Sequence, residues 1–256
     1  MGKRFTVRRY RCRLKSVNQD YQRFQDVPTV LVYKGEAEVA AERGCILCYH
    51  GLGSSKDAWL HDLREIAARG FLVVAVDNAG HGERRYSDFE ARFSAEGLHY
   101  WQAFTAVVRE TAAELPALLN ELLRRHLAVP GKVGALGVSL GGFIAYRAVT
   151  TESRLTAVAT LVSSPEWWGL ESPESPHHDL EAFAEVRLLS LTAGQDNVVP
   201  NSYTFAFYER LRERYEDYQV RFKHVDYGAS THLLEPDWPV AWEETIAWFE
   251  RFLSLQ

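Results

Sequence analysis

The chain has 256 residues, 46% hydrophobic and 25% charged, a balance that excludes a disordered chain and leaves ample material for a sizeable core. A formal net charge of −5 excludes the broad basic face that nucleic acid requires. No apolar run approaches the ~18 residues of a membrane span, and no secretory leader is readable, so no membrane association is expected.

In chain order, the first stretch interleaves Lys3, Arg4, Arg8, Arg9, Arg11, Arg13 and Lys15 with Phe5, Val7, Tyr10, Cys12 and Leu14. It reads as an edge strand over Phe5 to Leu14, where charge discourages edge-to-edge pairing. Thr29 to Tyr33 reads as a second strand, completing an antiparallel edge. Short apolar runs then recur at Cys45 to Tyr49, Phe71 to Val76, Lys132 to Val138, Ala157 to Val162, Val186 to Leu191 and Tyr218 to Val225. Runs of that kind suit strands buried on both faces of a mostly parallel sheet covered by helices.

The helices between them are also readable. Ser54 or Ser55 is placed to cap a helix carrying Leu60, Leu63, Ile66 and Ala67, with Gly70 as its left-handed stop. Leu98, Trp101, Phe104, Val108, Ala112, Leu115, Leu118 and Leu122 follow helical spacing, with Pro116 expected to kink or restart the helix. A last helix begins near Pro239 and buries Trp242, Ile246, Phe249 and Leu253. The alternation predicts a single α/β domain over residues 1–256 with right-handed crossovers. Ser163 to Asp179, with three prolines, Trp167-Trp168 and His177-His178, predicts a small lid at about 163–180; both histidines are expected to face solvent.

The three cysteines, Cys12, Cys45 and Cys48, form no disulfide framework. Cys45 and Cys48 are three apart in a strand, so their side chains point to opposite faces and share no metal. Free thiols of this kind suit a reducing compartment, and a cytoplasmic protein is expected.

The chemistry centres on Gly137-Val138-Ser139-Leu140-Gly141, which follows an apolar strand and opens a helical run. A serine hydroxyl attacks only when a base removes its proton, and a tight strand-to-helix turn presents it to substrate. A carboxylate and a histidine should follow in that order. Asp196, after the strand ending at Leu191, and His232, after the strand ending at Val225, satisfy it, both at carboxyl ends of strands. Asp226 and His224 compete for these roles, but both fall within or beside the last strand. An oxyanion hole needs backbone N–H groups. Leu140 supplies one and Leu52 the other, with Gly51 the alternative. His50 is expected to brace that loop. His81 stands among glycines with no second ligand at metal spacing, so no metal site is expected.

The set His50-Gly51-Leu52-Gly53-Ser54, Asp77 to Gly82, Gly137 to Gly142, Asp196 to Pro200 and His232 resembles the α/β-hydrolase superfamily. Within it the chain is similar to small bacterial serine esterases of the dienelactone hydrolase and prolyl oligopeptidase-like branch, from about Cys45 onward. The resemblance implies an eight-stranded, mostly parallel sheet flanked by helices, no cofactor, and hydrolysis through an acyl-enzyme. Two departures stand out: dienelactone hydrolases use a cysteine where this chain has Ser139, and there is no room for the propeller of prolyl oligopeptidases. The expected activity is cleavage of small or medium acyl esters. A thioesterase or small peptidase/amidase is the alternative, and a non-catalytic hydrolase-like binding protein a remote one. Trp167 and Trp168 are candidates to line the substrate pocket. Arg84 to Gly97 is expected to overhang the site, as a surface for an acidic substrate group or the second subunit of a homodimer.

Overall fold

The computed structural model describes residues 17–94 and 96–254. The strand expected over Phe5 to Leu14 lies outside them. Within them the sheet edge is β1 (Val17–Phe24), in a hairpin with β2 (Val27–Lys34). Phe24 pairs with Val27, which leaves Gln25 and Asp26 as a two-residue turn with φ of 50° and 69°. Positive φ at both positions is what a two-residue turn needs to follow the strand twist.

Beyond the hairpin come α1 (Ala37–Arg43), β3 (Cys45–Tyr49), α2 (Leu60–Ala68), β4 (Leu72–Val76), α3 (Phe89–Phe93), α4 (Leu98–Arg124), β5 (Val133–Val138) and α5 (Leu140–Val149). They are followed by β6 (Ala157–Leu161), β7 (Arg187–Ala193), α6 (Ser202–Arg214), α7 (Tyr218–Arg221), β8 (Phe222–Tyr227) and α8 (Trp238–Leu253). The eight strands form one sheet in the order β1-β2-β4-β3-β5-β6-β7-β8. Strand β2 is antiparallel to both neighbours, and the strands from β4 to β8 pair in parallel. This is the α/β-hydrolase arrangement expected from the sequence.

The chain leaves β3 for β4 on one side and returns to β5 on the other, so the loops after β3 and β5 flank the point where strand order reverses. Open parallel sheets gather ligands at that point, beyond the carboxyl ends of the strands. Every residue of β3, β4, β5 and β6 is buried. Period-two alternation sorts their side chains into two layers. Cys45, Leu47 and Tyr49 join a core with α4 and α5, whereas Ile46 and Cys48 join one with α2 and α8. The two thiols therefore point to opposite faces, as their spacing requires.

Several local expectations need correction. Neither Ser54 nor Ser55 caps α2; the helix starts after Trp59 with no side-chain cap. Ser55 Oγ instead accepts from the N–H of Asp57 at 3.3 Å, closing a local turn. Gly70 does end the helix, at φ 98° with its N–H on the Ala67 carbonyl. Pro116 neither breaks nor restarts α4, which runs on as one helix. It removes one donor, but Leu115, Leu118, Leu119 and Leu122 are buried around it and carry the helix through. Tyr218 to Arg221 is a helical turn, held by an Asp217–Arg221 ion pair, so the last strand starts only at Phe222. Helix α8 starts at Trp238 with Pro239 in its first turn and buries the four expected residues.

Residues 163–180 form an irregular excursion with short 3₁₀ turns at Pro176–His178 and, at its end, Leu180–Phe183. His178 is exposed, but His177 is half-buried with Nδ1 2.8 Å from Ser175 Oγ, and burial pushes its ring pKa down to about 4. No helix among the described residues is long and apolar enough to cross a membrane.

Candidate active site

Ser139 joins β5 to α5 with φ 54° and ψ −120°, a conformation that costs a non-glycine residue on the order of 1–3 kcal/mol. Its neighbours make the turn sterically feasible. A Cβ at Gly137 would collide with the Gly141 carbonyl, and one at Gly141 with the Tyr49 carbonyl. The start of α5 thus rests directly on the backbone of β5 and β3. Gly142 and Phe143 donate their N–H groups to the Ser139 carbonyl at 2.8 and 3.2 Å.

Asp196 follows β7. Its Oδ1 accepts from the N–H groups of Val198 and Val199 at 2.8 and 2.9 Å, and its side chain is 1% exposed. Its Oδ2 lies 2.8 Å from His232 Nδ1, and His232 Nε2 lies 2.9 Å from Ser139 Oγ. A carboxylate can only accept, so Nδ1 carries the ring proton and donates it; Nε2 is then bare and accepts from the serine hydroxyl. The loops bearing acid and base are tied together. Gly194 donates to Tyr227 and Gln195 to Ser230, both at 2.9 Å. Ser230 Oγ in turn donates to Asp237 at 2.7 Å.

Asp226 and His224 stand elsewhere. Thr192 Oγ1 and Asn201 Nδ2 donate to Asp226 Oδ1 at 2.7 and 2.9 Å, and His224 Nε2 lies 2.8 Å from the same threonine oxygen. They anchor the edge of the sheet under the Asp196 loop.

Leu140 is the first residue of α5, so its N–H has no acceptor within the helix. The loop after β3 approaches the nucleophile: a Cβ on Gly51 would stand 3.8 Å from Ser139 Cβ, and Leu52 follows at the same wall of the cavity. His50 is 3% exposed and holds that loop. Its Nδ1 donates to the Gly51 carbonyl at 2.8 Å, and its Nε2 accepts the Asn78 N–H at 3.1 Å. Burial pushes its pKa down to about 4, against the opposing Gly51 hydrogen bond. Asp77, fully buried, accepts from the Lys56 and Glu83 N–H groups at 2.8 and 2.9 Å. Lys56 Nζ bridges Asp77 and Glu83 at 3.4 and 2.7 Å, which ties the loops after β3 and β4 together.

An apolar cavity of about 350 Å³ opens over Ser139 and His232. Trp168 lines it and Trp167 does not: Trp167 is 2% exposed and packs into the core on the α4–α5 side. The excursion therefore gives the cavity one of the two expected tryptophans. None of the described residues of Arg84 to Gly97 reaches the cavity either. Arg84 pairs with Glu114, Arg85 lies over Phe89, and Arg92 pairs with Asp88 over Tyr86, so these arginines are spent within the chain.

Trp59, Tyr100, Trp101, Phe104, Phe143, Trp238, Val198 and Leu233 also line the cavity. Trp101 and Phe104 read in the sequence as a helix core stripe, because periodicity cannot separate a core from a cavity wall. Val198 and Leu233, 55% and 64% exposed, had a usable signal: each is an apolar residue one or two places from the acid or base. No cluster of His, Cys, Asp or Glu among the described residues could hold a metal ion.

The sequence profile of the alpha/beta hydrolase family matches residues 45–254. "Putative esterase YitV" of Bacillus subtilis (strain 168) is 26% identical over 238 residues, covering 81% of this chain and 89% of that protein. Among solved structures, TT1662 from Thermus thermophilus is similar at TM-score 0.76 and 24% identity, over 94% of this chain and 99% of that one. Pyrococcus horikoshii acylaminoacyl peptidase is similar at TM-score 0.70 and 17% identity, over 96% of this chain and 43% of that one.

Proposed function

This chain belongs to the alpha/beta hydrolase family, and on that premise we propose that it is a serine carboxylesterase acting on small or medium acyl esters. The observation that carries the reading is the hydrogen-bonded line Ser139–His232–Asp196, at 2.9 and 2.8 Å, on the floor of an apolar cavity. Its likeness to a protein named as an esterase adds support.

In the proposed reaction, Ser139 Oγ attacks the ester carbonyl carbon while His232 Nε2 takes the hydroxyl proton. Asp196 holds the ring in the productive tautomer and stabilises the imidazolium. The carbonyl oxygen becomes an oxyanion facing the N–H groups of Leu140 and Leu52. The tetrahedral adduct collapses, the C–O bond to the alcohol breaks, and His232 returns its proton to the departing oxygen. Water then attacks the acyl-enzyme with His232 again as base, releasing the acid and restoring Ser139.

The test is a p-nitrophenyl ester series from acetate to decanoate, with fluorophosphonate labelling alongside. Wild type should turn over and label, and Ser139→Ala should lose on the order of 10³-fold or more in rate and all labelling. Wild type that neither turns over nor labels sinks the reading. Matched anilides in the same assay separate an esterase from an amidase.

A further inference from the structure

The cavity has two aromatic walls, and they come from opposite layers of the sheet. Tyr100, Trp101 and Trp168 pack on the α4–α5 core that holds Phe104 and Phe143. Their rings form one connected cluster, with Trp101 4.6 Å from Trp168 and Phe104 5.0 Å from Phe143 between centroids. Trp59 and Trp238 pack on the other core, stacked at 4.8 Å, with Trp242 stacked beneath Trp238 at 5.4 Å. Ser139, at the end of a strand shared by both layers, stands between the walls.

His232 breaks the symmetry. It must hand the serine proton to the departing oxygen, so the alcohol part of the ester lies on the His232 side. That side carries Leu233, largely exposed at the mouth, and leads within six residues to Trp238. A leaving group there departs straight to solvent and admits the deacylating water. The wall from α4 and the 163–180 excursion, where Trp168 stacks on Tyr203 at 5.1 Å, is left for the acyl group.

We propose that this enzyme takes uncharged esters with an apolar group on each side of the scissile bond, the acyl group against Trp101 and Trp168 and the alcohol against Trp59 and Trp238. No Lys, Arg, Asp or Glu among the described residues lines the cavity, so neither group carries a charge that the site could pair. Size agrees: an apolar cavity of roughly 150 Å³ takes one benzene-sized group, and about 350 Å³ divided between two walls gives room for one on each side. The assignment rests on the esterase reading of Ser139.

The experiment measures two kcat/KM ratios: ethyl phenylacetate over ethyl acetate for the acyl side, and benzyl acetate over ethyl acetate for the alcohol side. Trp168→Ala should lower the first ratio about tenfold or more and leave the second within about twofold, and Trp238→Ala should do the reverse. Trp168→Phe and Trp238→Phe, which keep a ring in place, should move the same ratios in the same directions by less. Fluorophosphonate labelling of every variant reports an intact Ser139. Labelled variants whose ratios move together, or in the swapped sense, overturn the two-wall assignment while leaving the esterase standing. A wild type that hydrolyses none of these esters and does not label overturns the esterase reading, and the assignment with it.

Discussion

His50 and His232 both follow a central or edge strand of the same sheet, and both stand in loops beside Ser139, yet they are wired for opposite purposes. Both ring nitrogens of His50 are committed to backbone groups, the Gly51 carbonyl and the Asn78 N–H. His232 commits one nitrogen to a buried carboxylate and turns the other to the serine hydroxyl, with 20% of its side chain exposed. Location does not separate a brace from a base. The partners of the two nitrogens do, because a ring can shuttle a proton only if one nitrogen is free to lose and regain it.

Substitutions should expose that difference in graded steps. His232→Ala should lower kcat by on the order of 10⁵ or more, since it removes the base hydrogen-bonded to Ser139 Oγ. Asp196→Asn should cost about 10⁴, because the amide can present its N–H to Nδ1 and turn the bare nitrogen away from the serine. His50→Leu should cost only about tenfold in kcat, by loosening the oxyanion loop, together with about 1–3 kcal/mol of stability for the stranded Asn78 N–H. A His50→Leu enzyme as dead as His232→Ala would break the comparison.

The smallest effect concerns pH. The His50 ring has its pKa lowered from 6.5 to about 4 in the folded protein, so below pH 6.5 the unfolded chain binds the proton that the folded chain refuses. Stability contributed by the neutral ring is present in full above pH 6.5 and is lost progressively as the pH falls to about 4, to a limit of about 3 kcal/mol. Urea midpoints between pH 7 and pH 4 should therefore fall less steeply in His50→Leu than in wild type. An unchanged slope would mean that the ring is not the titrating group.

Much of this was legible in the sequence where a residue type and a strand end coincide. Ser139, Asp196 and His232 each follow an apolar run, and the structure brings the three within hydrogen-bond reach of one another. The edge strand β1 was not legible, because Val-Asn-Gln-Asp-Tyr-Gln-Arg-Phe shows no clean alternation and Gln25-Asp26 is not a usual hairpin pair. Trp167 and Trp168 could not be told apart, because an irregular segment has no period to say which neighbour faces inward. Trp59 and Trp238 reach the cavity only through tertiary packing between α2 and α8, which no local pattern announces.

The opposed cysteines of β3 give the protein a built-in clock for the detachment of each helical layer. Burial pushes the Cys45 thiol up to about 12 and Cys48 well above its ordinary range, so neither forms a reactive thiolate while its layer is closed. Cys45 sits in the core covered by α1, α4 and α5, and Cys48 in the core covered by α2 and α8, so each thiol reports the opening of its own layer. Site-resolved alkylation under native conditions would therefore time the two events separately. Equal rates would mean that the sheet sheds both coats at once; unequal rates would name the one that loosens first.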